Sequence, residues 1–238
     1  IPVEEAELDF HIVDEFQGEA DARMLRLLLV AAHKDMVATH IAAAEEAGLR
    51  PTGVDLNPFA LLRALASDST FEAGGEMIID VGAGVTNIVI HEAGVPKFVR
   101  ILVLGGDDIT DALAATGRHS HEDADLLKRR SGLSGGEGDD ARIIDEQAGQ
   151  FVDEVRNSLD YYQAQTGSSR ITRVVLTGGG SLLTGLPERL SGAIRLPVEV
   201  GNPFDRWPVS KVEMAPEQLA QVGPVLTTSI GLALGGAE

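Results

Sequence analysis

The residues whose spacing carries most chemistry form a short glycine hairpin, Asp80-Val81-Gly82-Ala83-Gly84-Val85-Thr86. Glycines in a tight turn let backbone N–H groups approach an anion closely, Thr86 adds a hydroxyl donor, and Asp80 can orient a water of hydrated Mg²⁺. The same spacing fits an ordinary glycine-containing β-turn closed by a structural threonine. Context excludes two better-known phosphate patterns. A dinucleotide fingerprint needs a third glycine where a helix packs closely, and here that position is Asn87 with an apolar strand continuing beyond it. A P-loop needs Gly-Lys-Ser/Thr leading into a helix, which this hairpin lacks.

A second glycine cluster ends another apolar run: Val174-Val175-Leu176-Thr177-Gly178-Gly179-Gly180-Ser181-Leu182. Three successive residues without side chains leave a backbone surface on which a flat base or a phosphate can lie, with Ser181 available to cap or bond. A flexible strand-to-helix connection is the plainer alternative. Asp125 and Lys128 stand three apart on one helix face, where they could bond ribose hydroxyls or form a solvated ion pair. His119 and His121 have no third ligand nearby, which is the pattern of a solvated loop rather than a metal site. Trp207 is the single tryptophan and reads as a loop anchor.

The elements that must position these groups follow from periodicity. Residues 6–14 form a half-apolar extended run, and 26–32 read as a buried strand. A helix over 34–47 places Val37, Ile41, Ala44 and Ala47 on one stripe and closes at Gly48. A short strand is expected at 54–56, then a helix over 59–66 with Asn57 as N-cap and Pro58 in its first turn. The polar stretch 68–75 marks a domain boundary. Strands at 77–81, 86–91 and 97–103 form a meander with one buried face. Gly105-Gly106 ends it. Helices over 109–115, 122–130 and 142–165 follow, with a loop at 131–138, an apolar strand at 171–176 and a helix from Leu186.

With 238 residues, 44% of them hydrophobic, the chain can bury the core of one large or two medium α/β domains. A formal net charge of -18, with 19 Lys and Arg, disfavours nucleic acid and anionic lipid as partners. The absence of cysteine excludes disulfides and thiolate metal sites and fits a cytoplasmic location. Ile1-Pro2-Val3-Glu4-Glu5 lacks the basic start and apolar run of a signal peptide. The apolar runs at 27–32 and 225–234 fall short of the ~20 residues needed to span a bilayer.

Taken in chain order, the Asp-x-Gly-x-Gly-x-Thr hairpin, Gly105-Gly106-Asp107-Asp108-Ile109-Thr110, the Ala124-Asp125-x-x-Lys128 helix and the Thr177-to-Leu182 turn resemble the actin-like ATPase superfamily of actin, heat-shock chaperones, sugar kinases and FtsA. Within it, Val30-Ala31-Ala32, Ala47-Gly48-Leu49, Val54-Asp55-Leu56-Asn57-Pro58-Phe59-Ala60, Asn202-Pro203-Phe204 and Ser229-Ile230-Gly231-Leu232-Ala233-Leu234 resemble the PilM family of type IV pilus assembly.

The resemblance implies an α/β, actin-like (ribonuclease H-like) two-domain fold with the first domain incomplete. Residues 1–47 would be an inserted subdomain of domain 1 and 48–75 its remainder. Residues 76–238 would be the nucleotide-binding domain 2, with 105–165 its smaller subdomain and 226–238 a helix returning toward domain 1.

It implies ATP and Mg²⁺ as cofactors. Asp80, Gly82, Ala83, Gly84, Val85 and Thr86 would form the second phosphate loop, with Asp80 meeting Mg²⁺ through water. Gly178, Gly179, Gly180, Ser181 and Leu182 would form the adenosine loop, with Asp125 and Lys128 at the ribose. Asp125 stands where the superfamily usually has Glu, a shorter reach. The first phosphate hairpin of the superfamily has no counterpart in this sequence, so the chain is expected to begin inside the inserted subdomain and to bind nucleotide weakly.

The implied role is a cytoplasmic scaffold, at most a slow ATPase, that docks the N-terminal cytoplasmic segment of an inner-membrane pilus assembly protein. That partner would recruit it to the inner face of the membrane, with no direct anchor of its own; self-association is compatible with this role. Two alternatives stand beside it. An FtsA-like division filament protein would carry a basic amphipathic terminal helix, whereas no basic residue follows Lys211. A sugar-kinase-type phosphotransferase would need a catalytic aspartate at a sugar pocket, and none has that context.

Overall fold

The computed structural model describes residues 1–18, 21–66, 74–133, 137–165, 168–210 and 213–235. They fall into two compact units, Ile1–Leu56 and Asn57–Glu238.

In the first unit, β1 (Ala6–Gln17) and β2 (Arg23–His33) pair antiparallel, with Phe10 opposite Leu29 and Ile12 opposite Leu27. The helix α1 (Lys34–Glu46) packs along this hairpin. It stops where the glycine requires. Gly48 sits at φ +77°, and the Gly48 and Leu49 amides donate to the carbonyls of Glu45 and Ala44 at 2.9 and 3.0 Å.

Two expectations are corrected here. The run 26–32 is a strand but not a buried one. Leu28, Val30 and Ala32 are half-buried, while Leu27 and Leu29 are 47% and 69% exposed. A hairpin with a single helix beside it covers one face of its apolar alternation and leaves the other open. Residues 54–56 form no strand, because no ladder forms there among the described residues and Val54 is exposed.

The second unit is built on a five-stranded mixed sheet in the order β5-β4-β3-β6-β7. The meander β3 (Gly75–Val81), β4 (Thr86–Glu92) and β5 (Val95–Leu102) is antiparallel, and β6 (Ile171–Thr177) joins β3 in parallel, followed by β7 (Val198–Val200). The helices are α2 (Asn57–Leu65), α3 (Gly106–Ala114), α4 (His121–Ser131), α5 (Asp139–Gln163), α6 (Leu186–Ile194), α7 (Pro203–Arg206) and α8 (Pro216–Gly235).

Both faces of the sheet are covered, not one. Met77, Ile79 and Val81 point into a core with Phe151, Val152 and Val155 of α5 and Leu190 of α6. Ile78, Val89 and Val175 meet Leu61 and Leu62 of α2 on the opposite face. Burial on both faces explains why β3 and β4 read as continuous apolar runs rather than as alternation. Ile109, Leu113, Ala124 and Ile144 form a separate small core for α3, α4 and the start of α5.

The polar stretch 68–75 falls largely on residues 67–73, and the loop 131–138 includes 134–136; both segments lie outside the described residues. Trp207 anchors its loop as expected, its Nε1 donating to Ala64 O at 3.2 Å. Trp207→Phe should cost about 1 kcal/mol in urea denaturation, the worth of one part-buried hydrogen bond.

Candidate functional site

The parallel pairing of β3 and β6 sets Asp80 opposite Thr177, so the two glycine segments leave the sheet side by side at the C-terminal ends of adjacent strands. That is where α/β sheets receive ligands. The hairpin closes through the Gly82 amide on Val85 O at 3.0 Å. The segment after β6 is a 3₁₀ turn, Gly179–Leu182. Between them opens a cleft of about 260 Å³ lined by Gly82, Ala83, Asp107, Asp125, Lys128 and Gly179, with Gly106, Arg129, Gly180 and Leu182 completing much of the wall.

The helix α3 fixes the hairpin. The Gly106 and Asp107 amides donate to the carbonyls of Gly82 and Ala83 at 2.9 and 2.8 Å. A helix N-terminus has free amides, but these are spent on the hairpin and not on an anion. Gly84 and Val85 form the exposed hairpin tip. Thr86 is fully buried and its hydroxyl donates to Leu104 O at 2.8 Å, which ties β4 to the end of β5 and turns the hydroxyl away from the cleft.

The three glycines of the second turn differ in surroundings. A Cβ on Gly180 would strike the Val81 side chain, whereas a Cβ on Gly179 would meet nothing within 4 Å. Gly179 is therefore the residue whose bareness faces the cleft. Ser181 is buried and its hydroxyl donates to Gly178 O at 2.7 Å, so it closes the turn. Behind the turn, Pro224 O accepts from the Gly178 amide at 3.1 Å and from the Thr177 hydroxyl at 3.1 Å, holding α8 against the end of β6.

The helix α4 supplies the opposite wall. Ser120 caps it, accepting from the Asp123 amide at 3.1 Å, and Ser120→Ala should cost about 1 kcal/mol by urea denaturation. Lys128 is not part of a solvated pair. It is 8% exposed, and its Nζ donates to Gly106 O at 2.9 Å and Thr110 Oγ1 at 2.7 Å while pairing with Asp125 at 2.8 Å. Arg129 Nε meets the other Asp125 oxygen at 2.7 Å. The hydrogen bond from Lys128 is the main cause that holds the Asp125 carboxyl below its ordinary range, with Arg129 adding to it and burial opposing it.

Asp80 lies at the base of the hairpin. Burial pushes its carboxyl up, against the hydrogen bonds from Asn87 Nδ2 at 3.3 Å and Thr228 Oγ1 at 3.4 Å. A raised folded-state value means that the stabilising contribution is complete below the ordinary aspartate range and is lost as pH rises through the raised value. Asp80→Asn should therefore raise the melting midpoint at neutral pH and leave it nearly unchanged in acid, a comparison that thermal melts at two pH values make directly.

Gly106, Asp107 and Arg129 also line the cleft, although the sequence marks Gly106 and Asp107 only as part of a motif and does not single out Arg129. The signal for the first two was present in Gly105-Gly106-Asp107-Asp108, where a strand ends and a helix with acidic first-turn residues begins. His119, before α4, and His121, its first residue, go to separate carboxylates, His119 to Asp140 at 2.9 Å and His121 to Asp111 at 3.2 Å. Among the described residues no three His, Asp or Glu side chains gather as metal ligands.

A family model described as Type IV pilus assembly protein PilM matches residues 1–237. The chain belongs to the PilM family. A solved PilM-PilN type IV pilus biogenesis complex matches the whole of this PilM-family chain and 69% of its own, with a TM-score of 0.88 and 29% identity. Cell division protein FtsA of Agrobacterium fabrum is 29% identical over 214 residues, 78% of this chain and 45% of that protein. FtsA of Bacillus subtilis is 24% identical over 195 residues, 74% and 44% of the two chains. The chain thus spans about half the length of the curated relatives it matches. MreB5 of Spiroplasma citri bound to AMPPNP covers 85% of this chain and 64% of its own at a TM-score of 0.57 and 13% identity, a likeness of fold alone. The fold is actin-like α/β, as the motif order implied. No helix among the described residues is long and apolar enough to cross a membrane.

Proposed function

We propose that this PilM-family chain is a nucleotide-binding scaffold of type IV pilus assembly, in which ATP with Mg²⁺ occupies the cleft between the β3–β4 hairpin and the triple-glycine turn. The observation that carries this reading is the parallel register of β3 and β6, which sets both glycine segments around one cleft. The phosphates would lie along Gly82, Ala83 and Gly84, the adenine against Gly179, and the ribose toward Asp125 and Lys128.

The charge of the cleft accounts for the metal. Lys128 and Arg129 both serve Asp125, and Asp107 adds a further carboxylate, so no free protein cation faces a triphosphate in this wall. A bound Mg²⁺ supplies the missing positive charge and usually keeps several waters. Asp80, a single half-buried carboxylate at the hairpin base, fits as an acceptor from one of those waters. No carboxylate or glutamine of the chain has a motif that orients an attacking water, which supports a scaffold with slow hydrolysis at most.

The partner side of the proposal rests on family membership and on the likeness to the solved PilM-PilN complex. The chain would dock the N-terminal cytoplasmic segment of an inner-membrane pilus assembly protein and be drawn to the inner face of the membrane through it. An FtsA-like role in cell division is the second reading, favoured by the FtsA relatives and disfavoured by the match of the PilM family model to nearly the whole chain.

Calorimetric titration of MgATP into this chain tests the nucleotide reading. Saturable binding is the expected result. The absence of binding heat would refute the nucleotide site. Fluorescence anisotropy with a labelled N-terminal peptide of the pilus protein tests the partner; an unchanged signal at saturating chain removes that assignment.

A further inference from the structure

The cleft has a width, and something must hold it. One wall carries the hairpin and the triple-glycine turn on the sheet, while the other is α4, whose small core is separate from that of the sheet. On the hairpin side the two are joined by the bonds from α3 to Gly82 and Ala83 and by Lys128 on Gly106. On the far side α5 runs from the small core at Ile144 into the sheet core at Phe151, Arg189 of α6 pairs with Asp145, and the C-cap of α4 crosses the segment between the triple-glycine turn and α6.

That crossing is a backbone-to-backbone clasp. The Leu133 amide donates to Thr184 O at 2.8 Å. Gly132 has φ +58° and ψ −162°, a region open almost solely to glycine. A Cβ placed on it would sit 2.8 Å from both the Cβ and the carbonyl oxygen of Thr184. From the other strand, Gly185 has φ +88°, and a Cβ there would lie 3.2 Å from Leu133 Cβ. Leu133 and Leu183 pack against both cores and so bridge the two bodies at the clasp. The Gly132 amide also donates to Lys128 O at 3.0 Å, which places the clasp one helical turn from the residues that face the cleft.

We infer that the Gly132-Leu133 and Thr184-Gly185 clasp is a positioning element of the nucleotide site, which with the Lys128 contacts sets the distance from Asp125 and Lys128 to Gly179. It rests on the nucleotide reading above and adds a role for residues outside the cleft. Gly132 is a positioning residue: it touches no ligand and acts through the last turn of α4. A methyl at Gly132 pushes Thr184 away, moves α4 outward, and removes the ribose wall from reach while leaving the hairpin with its own α3 bonds.

The test is MgATP affinity by calorimetry in the full chain, with melting midpoints recorded alongside. Gly132→Ala is expected to weaken MgATP binding about tenfold. In an Asp125→Ala background the same change is expected to cost under about threefold, because the contact it displaces is already gone. This non-additivity is the readout that a merely structural glycine would not give. Full affinity in Gly132→Ala, or the same tenfold loss in both backgrounds, would overturn the inference. Gly185→Ala presses on Leu133 from the opposite strand and is expected to act in the same direction; it decides the matter by the same two criteria if Gly132→Ala does not fold. Absence of binding by the unsubstituted chain is a different failure, since it defeats the nucleotide reading itself, whereas wild-type binding with an indifferent clasp defeats only the inference.

Discussion

Gly179→Val should weaken MgATP binding by at least about 100-fold, a loss of roughly 2.7 kcal/mol, without lowering the melting midpoint appreciably. The argument turns on the difference between Gly179 and its neighbours. A side chain at Gly180 would drive into Val81, and Gly178 sits at φ +82° against Asp80 and Val81, so substitution at either damages the fold. Gly179 has a free volume before its absent Cβ and lines the cleft. A branched side chain there is tolerated by the protein and occupies the plane on which the base would lie. Calorimetry measures the first effect and a thermal melt the second. Undiminished affinity with an unchanged melt would move the nucleotide away from this turn, whereas a collapse of the melt would show that Gly179 is structural after all.

Lys128→Met should destabilise the second unit by roughly 2–4 kcal/mol and abolish the ordered α4 wall together with it. The ammonium joins three elements: Gly106 O at the start of α3, Thr110 Oγ1 one turn later and Asp125 on α4. Methionine matches the stem in size but leaves the part-buried Gly106 carbonyl and the buried Thr110 hydroxyl without their charged donor. Leaving a buried polar group unpaired costs more than the bond was worth in net terms. Urea denaturation followed by circular dichroism reads the loss. A change under about 1 kcal/mol would show that the lysine is a surface group in solution, with its buried contacts of no energetic weight.

The legible parts of this chain were those in which local chemistry acts on nearby residues. The three strands of the meander lie within a residue or two of the expected bounds, because the turn residues between β4 and β5 and the hairpin glycines punctuate strongly apolar runs. The stop of α1 at Gly48 was equally local, a glycine in a conformation that other residues avoid. The start of α3 was misplaced by three residues, since the helix begins at Gly106 rather than Ile109. Glycine argues against a helix on propensity, and here the hairpin carbonyls override that by bonding the first amides of α3.

The errors share a cause. The run 26–32 looked buried because apolar content says that a face seeks cover, but not what element arrives to cover it. Asp125 and Lys128 fit a ribose contact or a solvated pair by spacing, which on one helix is silent about α3 lying over it. By type, the hydroxyls of Thr86 and Ser181 suit either a ligand or the closing of their own turns, while their carbonyl partners, Leu104 O and Gly178 O, follow from how the strand ends turn.

Alone, the sequence determined the two glycine segments, the strands that carry them, the α4 pair and the actin-like order in which they occur, because each is written in contiguous residues. The tertiary structure decided that these segments share one cleft, since the parallel register of Asp80 with Thr177 joins residues far apart in the chain. It also decided which glycine lines the cleft with open space before it and which merely makes room for Val81, and that Lys128 is a buried strut. Those outcomes depend on steric contact and desolvation between distant elements, quantities that no local pattern of residue types contains.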